Sequence, residues 1–281
     1  MRWPDDLAGW PLAEYSRQVL CRPHRWHIQE AGKGETLILI HGAGGATHSW
    51  RGVFPILAQH FHVVAIDLPG LGFTQVGARH RMGLAPIAED LATLMKDQGW
   101  QPKAIIGHSA GAAVGLQLLR NGLDARVIGI NAALSNFGGV AGWLFPFMAK
   151  ALALNPLSSR LVSKTATPGS VKGLIKGTGS DIGPEGEALY LRLTRDRSHV
   201  DATLSMMSQW SLDRLVAGFP KITQPVDLII TDGDTAVPNA SSIDAAKRLP
   251  NAQVHLVKGL GHLAHEEDPV QICALIERCL R

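Results

Sequence analysis

The chain has only three cysteines in 281 residues, Cys21, Cys273 and Cys279. They are odd in number and show no C-x-x-C spacing, so neither a disulfide framework nor a zinc ribbon is expected, and they read as free thiols in a reducing compartment. No stretch of 18 uncharged apolar residues occurs, so no membrane span is expected. The opening MRWPDDLAGW has no apolar h-region; a secretory signal is not expected, and the reading is a cytoplasmic protein. Charge is sparse, at 18% Asp, Glu, Lys and Arg with a net of +3. That is far from the dense Lys/Arg stripes of a nucleic-acid binder, so nucleic acid is not an expected partner. The glycine-rich HGAGG of residues 41–45 lacks the G-K-[ST] of a phosphate loop, and no G-x-G-x-x-G is present, so no cofactor is expected. HFH at 60–62 and HLAH at 262–265 lack supporting ligands, so no metal site is expected either.

What is present is apolar: 46% of the residues are hydrophobic, enough for one large α/β domain. Short β-rich runs alternate with helical patterns. Strands are expected at 16–21, 25–31, Thr36–Ile40, His62–Leu68, Lys103–Ile106, Val127–Ile130, Val226–Thr231 and Gln253–Val257. Helices are expected at Ser49–Gln59, Leu84–Gly99, Ala110–Leu119, Ser241–Leu249 and Pro269–Cys279. The strand runs are continuously apolar, as buried parallel strands are. The rhythm implies an α/β fold with a mostly parallel eight-stranded sheet flanked by helices. It breaks between 134 and 215, which has helical stretches but no convincing strand. That span reads as a helical lid inserted after the sixth strand, with 1–133 and 216–281 forming the core domain. The lid holds nine basic against six acidic residues, a surplus equal to that of the whole chain.

The pentapeptide GHSAG, residues 107–111, is a G-x-S-x-G. Chance alone produces one in roughly a tenth of chains this long, so its position must decide. It stands where a buried strand turns into a helix of small residues. A sharp strand-to-helix elbow needs glycine two residues either side of the serine and lifts the hydroxyl above the sheet. The alternative for Ser109 is a plain helix-capping serine. A serine nucleophile needs an adjacent base, and in this arrangement the chain order is Ser, acid, His. The acid belongs after a strand beyond the lid, where DLIITDGDTAVP offers Asp232 and Asp234; Asp234, further into the loop, is favoured. Asn131 fills the other common acid position and cannot carry the charge that steadies an imidazolium. The base belongs after the last strand, where GLGHLAHEEDP offers His262 and His265. His262 is favoured, and His265 reads as a surface or capping histidine near the acidic start of the last helix. The backbone N–H groups of Ala43 and Ala110 are the expected oxyanion donors. His108, Trp143, Phe147, Met206, Met207 and Trp210 are candidates to line an apolar substrate pocket, against the plainer reading of core packing. Shallow membrane contact by residues 139–157 is a third reading of that stretch.

HGAGGATHSW, DLPGLGFT, GHSAGAA, DGDTAVP and GLGHLAHEEDP together resemble the α/β-hydrolase superfamily from about Arg17 onward. Within it, RWHIQ, HGAGGATHSWRG, LIKGTGS, ALYLRL and MMSQWSLDRL resemble the magnesium chelatase accessory proteins of bacteriochlorophyll biosynthesis, the BchO family. Two positions depart from superfamily habit: Leu71 replaces the His of P-G-H-G, and Thr231 stands where G-x-x-D is usual. The resemblance implies a role beside magnesium insertion into protoporphyrin, with chelatase subunits as partners. The residues themselves point to a serine hydrolase acting on a small apolar ester, most simply a carboxylic ester; a porphyrin-like substrate is what the resemblance implies. A non-catalytic porphyrin- or chelatase-binding protein, and a cofactor-free perhydrolase, are the alternatives.

Overall fold

The computed structural model describes residues 1–135 and 158–281. Eight strands form one sheet: β1 (Ser16–Cys21), β2 (His24–Ala31), β3 (Thr36–Ile40), β4 (His62–Ile66), β5 (Pro102–His108), β6 (Arg126–Ile130), β7 (Val226–Thr231) and β8 (Ala252–Val257). Their order is β1-β2-β4-β3-β5-β6-β7-β8. β1 and β2 pair antiparallel, as do β2 and β4, and every pair from β4 to β8 is parallel.

The apolar runs are explained by helices on both faces. Successive side chains of β3 point to opposite sides. Ile38 and Ile40 join Leu91 and Val114 in one core, and Leu37 and Leu39 join Trp50, Phe54 and Ile276 in the other. The first face carries α2 (Leu84–Asp97) and α3 (Ala110–Arg120); the second carries α1 (Val53–Leu57) and, at the end of the chain, α11 (Pro269–Leu280). Asp268 caps α11 by accepting from Gln271 N–H, with Pro269 in the first turn; such a cap contributes about 1 kcal/mol.

Between β6 and β7 lie α4 (Ser158–Thr165), α5 (Pro168–Lys176), α6 (Gly183–Arg195), α7 (Arg197–Gln209) and α8 (Asp213–Gly218). After β7 come α9 (Asn239–Ala246) and the short α10 (Ala264–Glu267). Among the described residues no helix is long and apolar enough to cross a membrane.

Boundaries shift where side chains compete for the backbone. The helix expected at Ser49–Gln59 is a 3-10 turn, Thr47–Trp50, followed by α1; Ser49 Oγ donates to Ala46 O and Gly52 separates the two. β4 stops at Ile66; the Asp67 N–H still donates to His27 O on β2, while its carboxylate takes the N–H groups of Thr47 and Phe73. β5 runs to His108, directly into the turn that holds Ser109.

Candidate active site

Ser109 links β5 to α3 with φ 51° and ψ −114°. A non-glycine residue is rarely found there, and holding it costs about 1–3 kcal/mol. The surroundings impose it. Ser109 N–H donates to Ile130 O, and its carbonyl accepts from Ala112 and Ala133. The glycines on either side answer to space. A Cβ on Gly107 would collide with the backbone of Gly111 and Ala112, and one on Gly111 with the carbonyls of Ile40 and His41. The serine is therefore thrust beyond the strand ends and is partly exposed.

The fold brings Asp234 and His262 together. His262 Nδ1–H donates to Asp234 Oδ2 at 2.8 Å, with the Asp234 side chain 1% exposed. Asp234 Oδ1 accepts from Ala236 N–H at 2.7 Å and Val237 N–H at 2.9 Å. Three donors hold the carboxylate in one orientation, and the bond to Nδ1 leaves Nε2 of His262 with the lone pair. Asp232 is exposed and serves the loop instead, accepting from Gly259 N–H.

His265 is not a surface or capping residue. It is fully buried between Trp50 and His108, at ring-centroid distances of 4.6 and 4.5 Å, and neither ring nitrogen has a hydrogen-bond partner among the described residues. Burial, with His262 and Arg51 adding to it, pushes its pKa down to about 3. His108 continues the stack onto His262 at 4.6 Å. It is buried, and its Nε2–H donates to His262 O. This ring packs against His262 and ties its backbone carbonyl, whereas the sequence reading makes it a candidate substrate contact. Burial holds it neutral, its pKa well below the histidine norm.

The HGAGG turn is set by two further neutral histidines that sequence reading did not single out. His41 Nδ1–H donates to Gly42 O, and its Nε2 accepts from Leu68 N–H. His199, on α7, donates from Nε2 to Gly44 O and accepts at Nδ1 from Gly72 N–H. Burial lowers the pKa of both, His199 to about 4. Gly42 O is bound by His41 and by Gly45 N–H. Across a trans peptide, the Ala43 N–H points the opposite way. Ala110 is the first residue of α3, so its N–H has no partner within the helix.

Asn131, considered in the sequence only as a missing acid, has a structural task. It sits at φ 46°, 2% exposed. Its Nδ2 donates to Gly261 O, His262 O and Thr231 Oγ1, and its Oδ1 accepts from Thr231 N–H. The turn between α5 and α6 grips the same loop. Thr178 O accepts from both His262 N–H and Thr235 N–H, and Ser180 Oγ accepts from Leu263 N–H. A buried cluster anchors α6 below: Tyr190 donates to Glu266 Oε1, and Arg51 pairs with Glu266 Oε2.

The pocket candidates divide. Met206 is 1% exposed within the main core, and Trp210 packs half-buried against it; both fit the core-packing reading, because α7 lies on that cluster. Met207 is half-buried. Trp143, Phe147 and the rest of 139–157 lie outside the described residues.

With this geometry in place, comparison with known proteins is direct. The α/β hydrolase fold family matches residues 35–269. The magnesium-chelatase 30 kDa subunit of Rhodobacter capsulatus is 43% identical over 262 residues, covering 92% of each chain. Among solved structures, the Cif epoxide hydrolase of Acinetobacter nosocomialis superposes with a TM-score of 0.80 at 17% identity, covering 95% of this chain and 88% of that one. A thermophilic esterase from Thermogutta terrifontis gives 0.78 at 19%, covering 95% and 98%. At such identities the structural matches speak to fold alone, whereas the family match and the 43% relative place the sequence itself: the chain belongs to the α/β-hydrolase fold family, in the company of the magnesium-chelatase 30 kDa subunit.

Proposed function

We propose that the protein is a serine hydrolase of carboxylic esters, and that the insertion 134–215 forms the lid of its pocket. The observation that carries this reading is the His262–Asp234 hydrogen bond on the loop beside the strained Ser109. Ser109 Oγ attacks the ester carbonyl carbon while His262 Nε2 takes its proton. Asp234 keeps the imidazole in the required tautomer and steadies its charge. The tetrahedral oxyanion is held by Ala43 and Ala110 N–H groups, each donor contributing about 3–4 kcal/mol at the transition state. The imidazolium then protonates the leaving alcohol, and water, activated by the same nitrogen, releases the acid and restores Ser109.

The test is turnover of a short-chain aryl ester by the wild type and by Ser109→Ala. The wild type should turn over, and the variant should fall by a factor on the order of a million. Equal rates in the two would overturn the reading. The relative named as a chelatase subunit favours a second reading, in which the fold binds a porphyrin-like ligand or a magnesium chelatase subunit and Ser109 is idle. Magnesium insertion assayed with the wild type and with Ser109→Ala separates them: full support by the variant favours the second reading.

A further inference from the structure

Near the start of β7, away from the Ser109 loops, three side chains of metal-ligating type converge. Asp227 comes from β7, His255 from β8 and Cys279 from the last turn of α11. One donor atom of each lies within 4.8 Å of the other two. His255 Nε2 is 2.7 Å from Asp227 Oδ1 and 3.7 Å from Cys279 Sγ.

A cysteine, a histidine and an acid suit two chemistries. In a nucleophilic relay the acid and the thiol must sit on opposite ring nitrogens, because the imidazole passes charge between them. Here both lie on the same nitrogen. Three donors facing one point is the geometry of ligands around an ion.

The surroundings choose the ion. Arg126 pairs with Asp227 Oδ2. Arg278 and Arg281 line the adjoining cavity of about 460 Å³. That positive rim disfavours a cation held by charge alone. Magnesium and calcium are held so, and they also want six or more oxygen ligands. A cation that bonds strongly to thiolate and imidazole is not excluded on those grounds. Donor atoms around tetrahedral zinc stand about 3.3–3.8 Å apart, given bonds of about 2.0–2.3 Å. The sulfur–nitrogen separation already matches, and the His255–Asp227 pair opens by under about 1 Å. One thiolate and one carboxylate neutralise the ion, so Arg126 keeps its present partner's second oxygen.

We propose that Asp227, His255 and Cys279 bind a thiophilic divalent cation of the zinc type, with a fourth position open to the cavity. Binding releases the Cys279 thiol proton and moves the His255 proton to Nδ1. The ion ties α11 to the last two strands. β8 is the edge of the sheet, with Gln253, Val254 and Leu256 exposed, and it gains most from such a tether. The site stands apart from any reaction at Ser109.

Cobalt(II) serves as the spectroscopic probe on the full chain. One equivalent should give a thiolate-to-cobalt charge-transfer band, zinc should displace it, and a hundredfold excess of magnesium should not. Cys279→Ser should abolish the band, and His255→Gln, at a half-exposed position, should weaken zinc at least tenfold. Cys21→Ser and Cys273→Ser should leave the band intact. Absence of a band in the wild type, or its survival in Cys279→Ser, would overturn the proposal.

Discussion

The two halves of the candidate site are held by different physics. The Ser109 elbow is held by exclusion: Gly107 and Gly111 are there because nothing larger fits against the backbones of α3 and β3. The His262 loop is held by attachment. Its backbone is gripped by Asn131, His108, Thr178 and Ser180, from three separate segments. Exclusion acts on the residues that suffer it and tolerates no relaxation. Attachment is spread over many bonds, so losing one leaves others in place.

Each prediction breaks one side of that contrast. Asp234→Asn leaves both scaffolds intact but strands His262 in the wrong tautomer; kcat on the aryl ester should fall by a factor on the order of 10⁴ with KM nearly unchanged. Gly111→Ala attacks the excluded side and should lower unfolding stability by at least about 3 kcal/mol in denaturant titrations; a loss under about 1 kcal/mol would show that the elbow can relax. Between the halves lies the Trp50–His265–His108–His262 ring stack. His265 titrates near 3 when folded against an ordinary 6.5. The unfolded chain therefore binds its proton first, and stability is full above about 6.5 and drains as pH falls toward 3. Its slope is up to about 1.4 kcal/mol per pH unit. His265→Phe should flatten the decline in Tm between pH 6 and 4. The smallest effect is expected on the attached side. Asn131→Ala removes donors to two carbonyls of the base loop and should cost about 2 kcal/mol of stability. It should lower kcat more than it raises KM; a kcat equal to wild type would mean that the remaining bonds place His262 unaided.

The contrast also explains what could be read from the letters. The elbow was legible because steric limits select a residue type at fixed offsets. The strands were legible because burial on both faces demands continuous apolar runs. Chain order singles out Asp234 and His262, which the fold brings within hydrogen-bond distance. The attachments were not legible: Asn131 reaches His262 across 131 residues, His199 reaches Gly44 across 155, and Ser180 reaches Leu263 across 83. A hydrogen bond accepts many donors, so no local pattern marks these residues. The three residues proposed to bind zinc are likewise spaced by 28 and 24 positions, wider than any short ligand motif. His265 was misread because nearby Glu266 and Glu267 suggested solvent, while the fold buries both His265 and the Glu266 side chain.

The turn at Thr178–Ser180 touches both the Asp234 loop and the His262 loop, yet it belongs to the helices inserted between β6 and β7. Those helices are thus no exchangeable cassette. Transplanting another family member's insertion onto this core would remove Thr178 and Ser180 and so unfasten the loops that carry Asp234 and His262. One short turn of the insertion is thus a shared fastening for two loops that reach it from opposite sides of β8 in the chain.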